Sequence, residues 1–423
     1  MFKTLRNAWS IPDLRKKLMF TLLVLFLYRI GSVIPVPFVD GHMMAEYFDA
    51  SLSDTILGLY NAMSGSAFSQ ASILALGIQP YINASIIIQL LTVAIPALER
   101  MAKEQGEIGK KKIERITRYT TVGLGVLLGF AYYTMIKNGG SGILTDDSFL
   151  SALVIILTFT AGSTAVMWLG EQINAHGIGN GISMILFANI IAGFPSMVNA
   201  LTSGMFQWWV GVIIAVVVLL LVVFIVFIND AERRIPIQYA KRVVGRKVYG
   251  GQSTNLPIKV SMSGVMPVIF ASSIASVPAT ICAFTGVKEG WWYENVFSST
   301  GVIYMVIYGL LIFFFSWFYS TIQYDPVEIS NNLKKNGGFI PGFRPGKPTA
   351  DFIKKVINKI LIFGAIYLAI VAMLPMIGNI IDSNMQYLAI GGTSIIIVVG
   401  VALETVKALE AQMLMRHYKG FLD

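Results

Sequence analysis

The chain has 423 residues, of which 55% are hydrophobic and 13% charged, and its mean hydropathy is +0.68. A soluble domain carries about 25% charged residues, so these proportions exclude an ordinary water-soluble globule, and they exclude collagen-like, fibrous and disordered chains as well. The net charge is +9; the single cysteine, Cys282, allows no internal disulfide or cysteine metal cluster, and His42, His176 and His417 lie too far apart to suggest a metal site.

A polytopic membrane protein is the class that remains. A span needs about 20 mostly apolar residues. Ten segments qualify: 18–39, 71–95, 119–136, 148–170, 180–199, 207–228, 261–284, 302–322, 360–380 and 389–406. The first ends in Pro35-Val36-Pro37 with no small-residue cleavage site after it, so it reads as a retained helix rather than a cleaved signal peptide. Charge placement orients the chain. The N-terminus holds five Lys/Arg, loops 96–118, 229–260 and 323–359 hold seven each, and the C-terminal tail holds three. The opposite side holds two, Lys137 and Lys288, and nine acids. The basic side is expected to be cytoplasmic, together with both termini. The same asymmetry accounts for the basic character of the chain without DNA.

Ten spans divide into two sets of five, and an odd number of spans per half is the arithmetic of an inverted repeat. The second span of each half carries G-x-x-P-x-I-x-A-S, as Gly77–Ser85 and as Gly264–Ser272. Gly/Pro-interrupted segments in matching places of two halves point to the functional centre of such folds. Two unrelated proline-containing helices are the plainer alternative.

The spans are nearly free of titratable groups. Arg29 lies in the outer half of span one and Glu404 near the cytoplasmic end of span ten, and both read as structural. No H-E-x-x-H, G-x-S-x-G or P-loop is present, and no span offers a histidine as base, so an enzyme is disfavoured. The polar content is uncharged: Gln79, Asn83, Ser85 and Gln89 in span two, Asn180 and Ser183 in span five, Ser272, Ser273 and Ser276 in span seven. Such groups either hydrogen-bond between helices or line a surface that is sometimes wet.

Residues 55–70 are moderately apolar but too short to span. They read either as a surface-lying helix or as a movable stopper in a cavity. The alternation from Ile235, continued through Arg246–Thr254, reads as strand pairs around Gly250-Gly251. Asp325-Pro326-Val327-Glu328 reads as a helix start, and Lys334–Gly338 as its end. A stiff turn, Phe339–Pro348, then presents Arg344. These loops serve topology and lipid headgroups, or they dock a protein or ribonucleoprotein. Three functions stay open: a protein-conducting channel, a secondary transporter suggested by the inverted halves, and a scaffold suggested by the basic loops.

Several long stretches, in order, resemble the SecY family, which forms the channel of the bacterial secretory translocon. They are Arg29–Pro37, Gly77–Leu91, His176–Ser183, Gln252–Pro257, Pro341–Gly346 and Gly391–Ser394. The resemblance implies an all-α polytopic membrane protein, ten transmembrane helices in two inverted five-helix halves arranged as a clamshell. The halves would be 1–200 and 201–423, with a plug at about 55–67 in the first and docking loops 229–260 and 323–359 in the second. It implies a pore ring of Ile82, Ile86, Leu186, Ile190, Ile269 and Ile397, with leucine at 186 where many relatives have isoleucine. The plug would include Ile56, Leu57, Tyr60, Asn61, Met63, Ser64 and Gly65. Spans two, three, seven and eight would form a lateral gate bearing Asn83, Gln89, Ser272, Ser273 and Ser276. Arg344, Arg246, Lys247, Lys334 and Lys335 would dock the motor. The implied partners are SecE and SecG, the SecA ATPase, the translating ribosome, secretory preproteins with their signal peptides, and lipid. No cofactor is implied, since the ATP belongs to the motor. The implied location is the bacterial cytoplasmic membrane.

Overall fold

The structure, a computed structural model, describes residues 2–52, 56–104, 106–139, 142–202, 208–239, 242–244, 247–249, 253–262, 264–285, 296, 301–381 and 391–419. In chain order the helices are α1 (Phe2–Ser10), α2 (Pro12–Gly31), α3 (Gly41–Ser51), α4 (Ile56–Ser64), α5 (Gln79–Ala94), α6 (Pro96–Glu104), α7 (Gly106–Asn138), α8 (Phe149–His176), α9 (Gly181–Thr202) and α10 (Trp208–Asp230). Strands β1 (Glu232–Tyr239), β2 (Arg242–Val244), β3 (Lys247–Tyr249) and β4 (Ser253–Lys259) follow. The chain then forms α11 (Met266–Thr285), α12 (Val302–Gln323), α13 (Pro326–Lys335), β5 (Gly338–Phe339), α14 (Lys347–Ile381) and α15 (Gly391–Lys419).

A helix overlaps each of the ten apolar segments. Among the described residues, five helices (α7, α8, α10, α12 and α14) are long and apolar enough to cross a membrane. A sixth joins them if α5 and α6, bent by 104° at Ile95, count as one span. α9 and α11 add shorter apolar stretches, Gly181–Pro195 and Met266–Pro278.

Helix ends differ from the hydropathy windows in a consistent way. Residues 71–78 and, of the described ones, 261, 262, 264 and 265 are not helical, so α5 and α11 start late. α2 stops at Gly31, leaving Pro35–Pro37 outside it, because a residue preceding proline is driven out of the helical region. α7, α14 and α15 run well beyond their apolar stretches, so loops 96–118 and 323–359 are partly helical. Hydropathy reports how long an apolar stretch is, and capping decides where the helix ends.

The two long basic loops fold as one unit. β1 pairs antiparallel with β4, Ile235 opposite Leu256, and β5 of the second loop adds to β1 through Gln238↔Phe339. Ile235, Ile237, Ile258, Leu333, Ile340 and Ile353 form its core. Here the sequence reading needs correction. Gly250-Gly251 joins β3 to β4, which belong to different sheets, while β2 pairs with β3 across residues 245–246. The helix-start reading holds: the Asp325 carboxylate accepts from the Val327 and Glu328 amides, with Pro326 in the first turn. The helix-end reading holds too, since α13 stops at Lys335 and Gly337 turns left-handed at φ +69°.

The non-helical segment 71–78 runs against α8 where Gly162 leaves room. A Cβ at Gly162 would sit 2.0 Å from the Ile73 carbonyl oxygen, which is backbone and has nowhere to go. Gly162→Ala is therefore expected to destabilise the chain by about 1–3 kcal/mol. Gly123→Ala on α7, where nothing lies within 4 Å, is expected to be neutral or mildly stabilising. Thermal unfolding in detergent measures both, and equal midpoints for the two variants would contradict this packing.

Candidate functional site

α5 and α11 begin on the same local design. Gly77 stands at φ +52° two residues before α5, and Gly264 at φ +59° two residues before α11. Pro80 and Pro267 are the second residues of their helices. A left-handed glycine turns the chain sharply, and proline in the first turn has no N–H to leave unpaired. The shared sequence pattern is thus a helix-starting device rather than a mid-helix kink. A Cβ at Gly264 would come within 2.8 Å of Glu404 Oε1. The carboxylate of α15 therefore stands beside the start of α11, where a helix dipole favours negative charge.

The isoleucine two positions after each proline, Ile82 on α5 and Ile269 on α11, is buried. Ile86 on the next turn of α5, Leu186 and Ile190 on α9, and Ile397 on α15 join them in one buried apolar cluster. All six side chains are at most 3% exposed. Each is a saturated hydrocarbon, so none of the six brings a hydrogen-bonding group.

Met63 of α4 belongs to the same cluster. Leu57, Tyr60 and Met63, spaced by three, form the buried face of α4, which packs against α9 and α11. Ile56 opens the helix, and its side chain lies outside the described residues. Asn61 and Ser64 shape the turn that follows. Ser66 N donates to the Asn61 carbonyl at 3.0 Å, Ser69 N to Asn61 Oδ1 at 2.8 Å, and Phe68 N to Ser64 Oγ at 3.1 Å. Gly65 and Ser66 are both left-handed at φ +67°.

The end of α4 is gripped from three other helices. Arg29 Nη1 on α2 donates to the Gly65 carbonyl at 2.8 Å. Asn189 Nδ2 on α9 donates to the Met63 carbonyl at 2.8 Å and to Tyr28 Oη at 2.9 Å. Gln79 Nε2 on α5 lies 3.5 Å from Met63 Sδ. Beyond the turn, Phe68 stacks on Tyr132 with ring centroids 4.4 Å apart, and the Tyr132 hydroxyl donates to the Phe68 carbonyl.

The five expected gate residues do not act alike. Ser273 Oγ donates to Gln79 Oε1 at 3.1 Å, joining α11 to α5. Ser272 and Ser276 donate to carbonyls of their own helix, at Ile269 and Ser273. Asn83 and Gln89 are half-buried on α5. α11 packs against both α5 and α7.

Of the expected docking residues, Arg344, Lys334 and Lys335 are exposed. The turn carrying Arg344 is braced. Ser330 Oγ donates to the Gly346 carbonyl at 2.8 Å, Thr349 Oγ1 to the Arg344 carbonyl at 2.8 Å, and Phe343 stacks on Phe352 at 4.2 Å. Arg246 lies outside the described residues; Lys247 falls in β3 and its side chain lies outside them.

Asn189 and Tyr28 were not legible as site residues. The one available signal was an amide one residue before Ile190, within the apolar run Met184–Gly193. Gln79 was visible as a polar residue, but not as the link between α4 and α11.

A family model described as SecY matches residues 72–406. Relatives named protein translocase subunit SecY are 44% identical in Streptomyces scabiei and 43% identical in Bacillus licheniformis, each aligned over 100% of both chains. Among solved structures, a protein-conducting channel matches with TM-score 0.67 and 18% identity, covering 94% of this chain and 92% of that one. A SecY structure concerned with a plug domain that stabilises the closed channel matches with TM-score 0.66 and 18% identity, at 94% and 92% coverage. Sec61 in a canine ribosome–channel complex matches with TM-score 0.64 and 17% identity, also at 94% and 92%. With its fold shared and its full length aligned at these identities, the chain belongs to the SecY family.

Proposed function

We propose that the chain is the protein-conducting subunit of a translocase, passing unfolded, signal-bearing polypeptides across the bacterial cytoplasmic membrane and releasing apolar segments sideways into lipid. The observation that carries this reading is the cluster of six hydrocarbon side chains from α5, α9, α11 and α15, stoppered by Met63 of α4. An apolar constriction excludes ions by dewetting and makes no directional bond to what passes. Arbitrary sequences require such indifference, because a pore that bound its cargo would retain it. A segment of about 20 apolar residues leaves for lipid because transfer from a wet pore is favourable.

In this reading ten spans form two inverted halves, 1–200 and 201–423, with both termini cytoplasmic. The matched starts of α5 and α11 support the repeat, since Ile82 and Ile269 occupy the same place in both. α4 is the plug, and α5, α7, α11 and α12 form the lateral gate. No catalytic chemistry is assigned to the chain. The folded unit made by β1, β4, β5 and α13 docks the SecA motor and the ribosome, with Arg344 at its braced tip and Lys334 and Lys335 nearby. Ribosome docking is supported by the likeness to a channel solved on a ribosome. SecE and SecG complete the channel.

Reconstituted with SecE, SecA and ATP, the chain should move a signal-bearing preprotein into vesicles. A folded, motor-bound complex that moves none would overturn the reading. Replacing Ile82, Ile190 or Ile397 by asparagine should raise resting ion conductance in planar bilayers severalfold; unchanged conductance would contradict the ring. Arg344→Glu should abolish most motor-driven transport. Because Arg344 is exposed, the same change should alter stability by no more than about 0.5 kcal/mol and leave membrane insertion intact. Parallel loss of folding and transport would refute a docking role.

A further inference from the structure

We infer that Arg29 and Asn189 form a latch that holds the plug in its closed seat by capping the carbonyl end of α4. The inference rests on α4 being the plug and names the residues that position it.

A helix leaves its last carbonyls without internal partners, and at membrane depth each must find a donor. α4 ends inside the protein, so water is not the obvious donor. Asn189 Nδ2 supplies one at the Met63 carbonyl, and Arg29 Nη1 supplies one at the Gly65 carbonyl just past the helix. The guanidinium also places positive charge at the negative end of the helix dipole. Among the described residues Arg29 makes no ion pair with a carboxylate, so its charge is directed to this carbonyl. Around it are Phe26, Ile30, Val33, Ile34 and Pro35, which offer no hydrogen-bond acceptor from their side chains.

The latch sits at a hinge. The segment after Ser66 is fixed by the Phe68–Tyr132 stack and by the Tyr132 hydroxyl on the Phe68 carbonyl. Before it, Gly65 and Ser66 are left-handed, and a left-handed non-glycine residue is strained. Rotation about these two residues would swing α4 away while leaving Phe68 in place, at the cost of the Asn61 and Ser64 bonds to the Ser69 and Phe68 amides and of the Tyr60–Phe68 contact. Gly65 is also required sterically: a Cβ there would lie 2.6 Å from Arg29 Nη1 and 3.0 Å from Asn189 Oδ1. When α4 swings into an aqueous cavity, water replaces both donors. The latch therefore releases reversibly, without leaving a carbonyl unpaired.

Arg29→Met keeps an unbranched, flexible stem and removes the donors, and Arg29→Lys restores charge and a donor. The complex is reconstituted, and two properties are read: hydrogen exchange of amides 57–64, and resting ion conductance. A hydrogen bond to a charged group is worth roughly tenfold or more in a local equilibrium. Arg29→Met should therefore speed exchange of α4 about tenfold and raise conductance, and Arg29→Lys should recover most of both. Parent-like exchange in Arg29→Met would overturn the latch. Deleting 56–64 separates the two ideas. If the deletion raises conductance and Arg29→Met changes neither property, the latch fails and the plug stands. If the deletion leaves conductance unchanged, the plug reading fails and exchange alone decides the latch. Should Arg29→Met not assemble, Gly65→Ala attacks the same contact from the plug side, and parent-like exchange there would overturn the proposal equally.

Discussion

Backbone polar groups cannot go unpaired inside an apolar bundle, and most of the interior of this protein is arranged around that constraint. The chain leaves regular helix at several places between helices that are otherwise oily. At each of them a specific donor or acceptor arrives. Ile73 N donates to the Ile34 carbonyl at 2.9 Å, and Val36 N to the Ala71 carbonyl at 3.1 Å, so two irregular segments satisfy each other. The Tyr60 hydroxyl donates to the Leu76 carbonyl at 3.2 Å. Thr21 Oγ1 accepts from Ile178 N, and Asn174 Oδ1 from Gly181 N, where α8 turns into α9. Thr21, Tyr60 and Asn174 thus serve backbone groups where helices break, while threonines such as Thr117, Thr158 and Thr160 bond a carbonyl of their own helix.

The same constraint explains the glycines that matter most. An irregular segment can reach a helix closely only where the helix has no side chain. Gly162 admits the Ile73 carbonyl to α8, and a Cβ at Gly181 would sit 2.0 Å from the Gly170 carbonyl oxygen, so α8 and α9 meet backbone to backbone at their hairpin. Gly264 leaves space for the Glu404 carboxylate at the head of α11. These contacts fix the starts of α5, α9 and α11, and the opening turns of those helices carry Ile82, Leu186 and Ile269. Packing of glycines outside the buried apolar cluster therefore helps to position the side chains within it.

Apolar length and charge bias were legible along the whole chain, and so was the paired G-x-x-P pattern. These follow from local composition, summed over neighbouring residues. Pairing across distant segments was not legible. Nothing near Asn189 in sequence indicates that it will meet Met63 and Tyr28, 126 and 161 residues away. The two basic loops read as separate docking elements because β5 is only two residues long, too short to announce that it adds to β1. Arg29 read as structural, but a single arginine in an apolar run does not disclose whether it meets a carboxylate, a headgroup or, as here, a carbonyl.

In the proposed reading α5 and α11 part sideways into lipid, so strong polar bonds cannot close the seam between them. An ion pair between α5 and α11 would leave two charges facing hydrocarbon on opening, at a cost of several kcal/mol per charge, about the scale of a protein's whole stability. Here the bond across the seam is Ser273 to Gln79, a neutral pair worth about 1 kcal/mol net. After separation the Ser273 hydroxyl can turn to a carbonyl of its own helix, as Ser272 and Ser276 already do. Gln79 also lies against Met63 of α4, so its carboxamide touches the seam and the stopper at once. Parting α5 from α11 removes one of its two partners and frees the side chain that steadies the other. In the proposed reading an uncharged amide at this position lets lateral opening and release of α4 proceed together, with no charge stranded between α5 and α11.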